Sequence, residues 1–163
     1  TGATGATGAA GTTGASGVRG ASGATGAQFI PAYGYIYNNI GTLTPYIGGG
    51  PIVMPLTGPS NNVTPSSNGL TITVPGVYEI EYGISITLNN SQNALFFVRS
   101  IATALMIPGT EKSITNTTGG QIEVIVNSST IANFNNNDLL VLVGFISSPI
   151  NYRYPFLKIN QIS

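Results

Sequence analysis

Glycine stands at positions 2, 5, 8, 11, 14, 17, 20, 23 and 26, every third residue without a miss, and then the period stops. The next glycines, Gly34, Gly41 and the run Gly48-Gly49-Gly50, fall out of step. A strict Gly-X-Y register lets three polyproline-II-like chains wind about a common axis, because only a residue without Cβ fits where each chain crosses it. A repeat of this kind sets an association number as well as a shape. A low-complexity linker of small residues would place some glycines in step by accident, but not an unbroken run.

Residues 1–27 therefore read as a collagen-like triple-helical stalk. Because the chain begins in mid-repeat, the stalk is expected to be the C-terminal end of a longer one. Its triplets are mostly Gly-Ala-Thr or Gly-Ala-Ser, with a single charged triplet, Gly17-Val18-Arg19. No proline occupies X or Y, so φ is not preset near −65°, and ordering costs correspondingly more backbone entropy. Such a stalk should depend on another element to hold three chains in register, and residues 28–163 are the candidate. Side chains at Y point outward from a triple helix, which exposes Thr4, Thr7, Thr13 and Thr25.

Charge is scarce beyond the repeat. Lys and Arg number 5, Asp and Glu 5, and together they make 6% of the chain, against about 25% in an average globular protein. Disorder does not follow, because 42% of residues are apolar and many are β-branched. The shortage fits a β-domain that buries extra surface against partner chains. A formal net charge of zero with no basic cluster argues against nucleic acid or anionic lipid as a partner. The chain has no cysteine, so no disulfide framework constrains it. The longest apolar run, Leu139 to Ile146, is far short of the roughly 20 residues that cross a bilayer as a helix, so no membrane insertion is expected.

Turn residues punctuate residues 28–163 at short intervals, as in an all-β sandwich. Gly48-Gly49-Gly50-Pro51, Gly58-Pro59, Asn68-Gly69, Pro75-Gly76, Asn89-Asn90, Pro108-Gly109, Gly119-Gly120 and Asn135 to Asp138 all read as turns or loops. From Val77 to Leu88 the alternation is clean. Tyr78, Ile80, Tyr82, Ile84, Ile86 and Leu88 share one face, and Glu79, Glu81, Gly83, Ser85 and Thr87 share the other, the pattern of a half-buried strand. Ile122, Val124 and Val126 repeat it. Two segments, Leu139 to Ile146 and Leu95 to Ile107, are apolar on both faces, and such strands are covered on both. One cover is the opposing sheet; neighbouring protomers are expected to supply the other. Residues 93–107 suit a helix by propensity, yet the flanking turns favour a strand.

These residues carry a resemblance. Leu70-Thr71-Ile72-Thr73-Val74-Pro75-Gly76-Val77-Tyr78-Glu79-Ile80 resembles the Pro-Gly-x-Tyr-x-Phe/Ile strand of complement globular heads. Asn137-Asp138-Leu139-Leu140-Val141-Leu142 is similar to that family's Gly-Asp-x-Val/Leu-x-Leu segment, with Asn137 in place of glycine. Tyr154-Pro155-Phe156-Leu157-Lys158-Ile159 resembles the aromatic last strand shared with tumour-necrosis-factor-like domains. A Gly-X-Y stalk followed by such a head resembles the collagen-like glycoproteins of bacterial spore surfaces (the exosporium), of the BclA type. The resemblance implies a ten-stranded jelly-roll head, all-β, assembled as a tight homotrimer, with first and last strands adjacent at the stalk end. It places Leu140, Leu142, Tyr154 and Phe156 near the threefold axis as the trimer interface; the alternative is that they are ordinary sandwich core. It also makes Thr4, Thr7, Thr13 and Thr25 candidate O-glycosylation sites, against plain solubility.

Catalytic chemistry finds little purchase. With no His and no Cys, the common general base, the thiol nucleophile and nearly every zinc or copper site are missing. Glu79 and Glu81 form the one close carboxylate pair, and a solvated sheet face accounts for them better than glycoside hydrolysis. Asp138 in its Asn-rich loop offers a single carboxylate for Ca²⁺, a weak donor set unless threefold symmetry multiplies it. No catalytic residue, cofactor or metal is assigned. The reading is thus a non-enzymatic structural filament protein on the outward-facing surface of a bacterial spore, its head trimerising the stalk and forming its tip. Other spore-surface proteins or host ligands are the further partners left open. The alternative is a ligand- or glycan-binding head of an adhesin or phage fibre.

Overall fold

The computed structural model describes residues 1–23, Gly26 and 29–163. Residues 1–23 carry no regular hydrogen-bonded structure and are exposed. A Cβ added at any of the nine repeat glycines would meet nothing within 4 Å in the single chain. Thr25 and the expected boundary at 27/28 lie outside the described residues.

The head is all-β, with no helix among the described residues. Its strands are β1 (Tyr33–Tyr37), β2 (Thr44–Tyr46), β3 (Leu56–Thr57), β4 (Val63–Ser66), β5 (Gly69–Ile72), β6 (Gly76–Leu88), β7 (Asn93–Ser100), β8 (Lys112–Thr115), β9 (Ile122–Phe134), β10 (Leu139–Ile146) and β11 (Ile150–Gln161). Sheet A runs β3-β1-β11-β6-β9, with β2 also on β11, and sheet B runs β4-β5-β10-β7-β8. The count exceeds the expected ten because β2 and β3 are short pieces of two or three residues. They pair with different strands, β2 with β11 and β3 with β1, and Pro51 and Pro55 between them cannot donate to a ladder.

The alternation read between Val77 and Leu88 is realised in β6. Tyr78, Ile80, Tyr82, Ile86 and Leu88 are fully buried between the sheets, opposite Leu157 and Ile159 of β11 and Leu70, Phe96, Val98, Leu140 and Leu142 of sheet B in one apolar core. Four tyrosines, Tyr46, Tyr78, Tyr82 and Tyr152, enter that core, and buried hydroxyls need acceptors. Tyr82 donates toward Phe96 O at 3.1 Å and Thr110 O at 2.8 Å, and Tyr46 donates to Gly50 O at 2.7 Å and accepts from Gly144 N at 2.9 Å. Each predicted turn falls between strands or at a strand's first residue. Val77's alternation partner β9 obeys the same rule: Ile122, Val124 and Val126 face inward.

Two expectations need correction. The apolar stretch Leu95 to Ile107 is strand only to Ser100; a turn follows, with Ala104 at φ 56°, and Ile101, Leu105 and Met106 are exposed. The second face of β10 and β7 is largely covered within the chain, although Phe145 beside Phe97 stays exposed. Phe97, Val141 and Val143 already bury one another in a small second cluster, with Leu95 and Leu139 packed against it.

The first and last strands are neighbours, as the resemblance implied. β1 pairs β11 antiparallel from Tyr33↔Asn160 to Tyr37↔Phe156. At the entry to β1, Gln161 holds Ala32 twice, Ala32 N donating to Gln161 Oε1 at 3.0 Å and Gln161 N donating to Ala32 O at 2.7 Å.

Candidate functional site

The outer face of sheet A carries aromatic and apolar side chains that are only partly covered. Ladder registers set it out as rows across β1, β11, β6 and β9. The row at the start of β1 is Tyr33, Asn160, Glu79 and Ile131; the next is Tyr35, Lys158, Glu81 and Ser129; then Tyr37, Phe156, Gly83 and Asn127. Beyond these come Arg153, Ser85 and Ile125, and finally Asn151, Thr87 and Glu123. The rows nearer the start of β1 thus carry the aromatics, and the far rows are mostly polar.

A bulge in β11 creates this pattern. Arg153 opposes Ser85 and Phe156 opposes Gly83, so one extra residue is accommodated between them. The insertion flips parity within the strand, letting Tyr152 and Leu157 both reach the core while Arg153 and Phe156 both face out. Tyr154 sits in the bulge at φ 51°, a left-handed conformation uncommon for a side chain of its size, and is 49% exposed. Gly83 completes the arrangement: a Cβ there would stand 2.4 Å from Phe156 Cε1, so only glycine lets that ring lie against β6. Tyr35 and Tyr37 stack at 5.0 Å between ring centroids, and Tyr35 lies 6.2 Å from Phe156. A cleft of about 430 Å³ opens beside them, lined by Tyr33, Tyr35, Pro59, Phe156 and the Glu81–Lys158 pair, which meet at 3.4 Å. Burial, with the Tyr37 and Glu81 charges behind it, pushes the Tyr35 phenol up. At the rim, Ile125 and Ile131 of the edge strand β9 are 76% and 62% exposed.

Of the expected interface residues, the structure separates two from two. Leu140 and Leu142 have no exposure and point into the sandwich core. They cannot reach a symmetry mate, and for them the core alternative is the one that holds. The physical reason is parity, since β10 presents Val141 and Val143, not Leu140 and Leu142, on its outer side. Tyr154 and Phe156 do lie on an outer face. Thr4, Thr7 and Thr13 are exposed, and Thr25 lies outside the described residues. Tyr33, Tyr35, Tyr37, Ile125 and Ile131 were missed. The signal was present in the Tyr-Gly-Tyr-Ile-Tyr alternation of β1 and in isoleucines of the wrong parity in β9.

Glu79 and Glu81 face outward as expected of a sheet face, Glu81 paired with Lys158. Asp138 is 8% exposed, and its carboxylate accepts from Asn135 N at 2.8 Å and Ser100 Oγ at 3.3 Å, so it closes the turn into β10. Among the described residues no three His, Cys, Asp or Glu come together as a metal cluster, and no helix is long and apolar enough to cross a membrane. The face offers aromatic area and paired charges, which suits association.

No protein-family model matches the sequence, and no curated protein matches it. Solved structures do. The globular domain of zebrafish complement 1qA protein aligns with a TM-score of 0.58 at 12% identity, covering 81% of this chain and 98% of that one. The Eiger TNF of S. frugiperda aligns at 0.59 and 9% identity, covering 82% of this chain and 94% of its own. Likeness at that identity concerns architecture. The head is a jelly roll of the complement-head and tumour-necrosis-factor kind.

Proposed function

We propose that the chain is a stalked surface protein whose head, residues 28–163, self-associates as a homotrimer through the outer face of sheet A and so aligns three collagen-like stalks. The observation that carries this reading is the aromatic face itself: Tyr33, Tyr35, Tyr37 and Phe156 gathered on one side of a sandwich that has already filled its core. Monomeric proteins rarely expose contiguous apolar surface beyond a few hundred Å². The repeat adds independent support. Nothing in the single chain would obstruct a side chain at the nine repeat glycines, so their period finds its reason in contact with other chains. Tyr154 and Phe156 stay in the interface; Leu140 and Leu142 leave it.

The finer reading is a non-enzymatic filament on the outer layer of a bacterial spore, facing the exterior, with Thr4, Thr7, Thr13 and Thr25 as O-glycan acceptors. Its support is the stalk-plus-head plan together with a chain that has no His and no Cys. Sedimentation equilibrium of the chain at micromolar concentration tests the trimer; a monomer sinks it. Circular dichroism of a peptide spanning residues 1–27 tests the dependence of the stalk on the head. The peptide should be unfolded at room temperature, and a cooperative triple-helix melt would reverse the assignment.

A further inference from the structure

The far, polar rows of sheet A hold a second cleft, on the same outer face as the aromatic rows. It measures about 390 Å³ and is lined by Leu43, Thr87, Gln121, Ile122, Glu123 and Arg153. Clefts of about 300–1,000 Å³ with a few convergent polar groups are the usual form of small-ligand sites. We infer that this cleft is a binding site for a neutral carbohydrate, one or two pyranose rings in size.

The inference rests on which groups meet there and how firmly they are held. Arg153 Nε donates to Glu123 Oε1 at 2.9 Å, and Arg153 Nη2 also pairs with that carboxylate. Ser85 Oγ donates to the same oxygen at 2.6 Å. Glu123 is therefore clamped from two strands, β11 and β6, while standing on a third. Such a preformed pair spares a ligand the cost of ordering two long side chains. Its charges cancel, so the cleft does not select an ionic ligand. It instead sets donors (the guanidinium N–H groups) beside acceptors (the carboxylate oxygens), and each sugar hydroxyl both donates and accepts. Gln121 at the rim has its amide fixed by donation to Asn89 Oδ1 at 3.1 Å, and Thr87 contributes a hydroxyl. Leu43 and Ile122 supply apolar surface for the C–H face of a ring.

The backbone around the cleft agrees. The β11 bulge lies immediately beside Arg153, and bulges concentrate next to functional sites, where they re-aim side chains. Here the bulge sets the Arg153 guanidinium carbon 5.7 Å from the centre of the Tyr154 ring. Left-handed backbone at a tyrosine is a conformation that proteins retain chiefly at such places.

The test is a titration of the isotope-labelled full chain, followed by amide chemical shifts. The probes are the methyl glycosides of glucose, galactose and mannose, N-acetylglucosamine and rhamnose, each into the millimolar range. At least one should give saturable shifts centred on Leu43, Thr87, Gln121 and Ile122. Gln121→Ala and Thr87→Ala should each weaken that binding roughly tenfold, the loss expected of a hydrogen bond or two to hydroxyls, with unchanged sedimentation. Saturable shifts elsewhere, affinity unchanged in both variants, or no saturable shift with any probe would each overturn the site. Sedimentation of the same samples reports the trimer separately, so failure of either reading leaves the other readable.

Discussion

Replacing Leu142 by alanine and, separately, Phe156 by alanine should damage the protein in different ways. Leu142 is without exposure, in the middle of β10, packed among Val98, Phe96 and the β6 face. Truncation removes its buried carbons and leaves a void that a sandwich filled from both sheets cannot close. Leucine-to-alanine changes in such sites cost about 2–5 kcal/mol. Against a domain stability of about 5–15 kcal/mol that is a large share. In melting temperature it amounts to roughly 2–4 °C for each kcal/mol in a protein of this size. The loss belongs to the protomer, so it should appear at every protein concentration. Phe156 differs. Its ring is half-buried against Gly83 and beside Tyr35, on the outer face. Truncating a central aromatic anchor of an interface costs about 2 kcal/mol or more, and the threefold repeats that loss at each protomer. Phe156→Ala should therefore dissociate the assembly at micromolar concentration while the dissociated heads keep their β-sheet circular dichroism. Sedimentation equilibrium across a concentration series, with thermal melts of the same samples, separates the two. If Leu142→Ala dissociates the trimer without lowering protomer stability, the placement of Leu142 in the sandwich core is wrong. If Phe156→Ala sediments as wild type does, the aromatic face is not the interface.

Three further outcomes follow from the same geometry. Gly83→Ala forces the Phe156 ring away from β6, since the new Cβ would lie 2.4 Å from Cε1; sedimentation should show weakened association with the head still folded, and an unaffected trimer would mean the ring has another resting place. Burial, and then the Glu111 charge, pushes the Tyr82 phenol well above its ordinary value near 10. Its neutral form is the one the fold favours, so its contribution to stability is full below pH 10 and is lost as pH rises beyond it; the Tyr82 ring resonances, assigned by comparison with Tyr82→Phe, should report ionisation only together with loss of β-sheet signal, and ionisation of Tyr82 in the intact fold would refute the burial. The Arg153 hydrogen bond, with Ser85 behind it, holds the Glu123 carboxyl below the usual range. That pairing persists above the ordinary carboxylate pKa and fades as pH falls through the lowered one, so a carboxyl NMR titration should move up in Arg153→Gln, and an unmoved midpoint would mean the pair does not form in solution.

The sequence disclosed the fold more readily than the face, for a reason visible in particular strands. In β6 one parity is apolar and the other polar, so period two assigns Tyr78 to Leu88 to the core without ambiguity. In β10 both parities are apolar, and alternation has no power to choose between Leu140 with Leu142 and Val141 with Val143. The resemblance chose the first pair for the axis, and packing chose it for the core. Phe156 and Tyr154 share sequence parity, but the bulge between Arg153 and Phe156 makes parity uninformative there as well. An extra residue in one strand leaves no mark in a pattern of apolar positions. The polar cleft was invisible for another reason: Leu43, Thr87, Gln121, Glu123 and Arg153 come from four separate segments, brought together by the β11-β6-β9 ladder and the β2–β11 pairing.

The entry of the chain from the Gly-X-Y repeat into the head also has a mechanical side. Tension on residues preceding β1 reaches the head at Pro31, whose carbonyl accepts from Asn61 Nδ2 at 3.1 Å, and then at Ala32, where the backbone and side chain of Gln161 hold it by two hydrogen bonds. Gln161 is in turn tied through Nε2 to Pro75 O at 3.3 Å, just ahead of β6. Past this rivet lie the β1–β11 pairs from Tyr33 to Tyr37. A pull along the strand axis loads these bonds in shear, so that they share the force; a pull across the axis unzips them one at a time, starting at Gln161. The head then grips its tether strongly in one direction and releases it gently in another, with Gln161 on one side and Asn61 on the other setting the threshold for letting go.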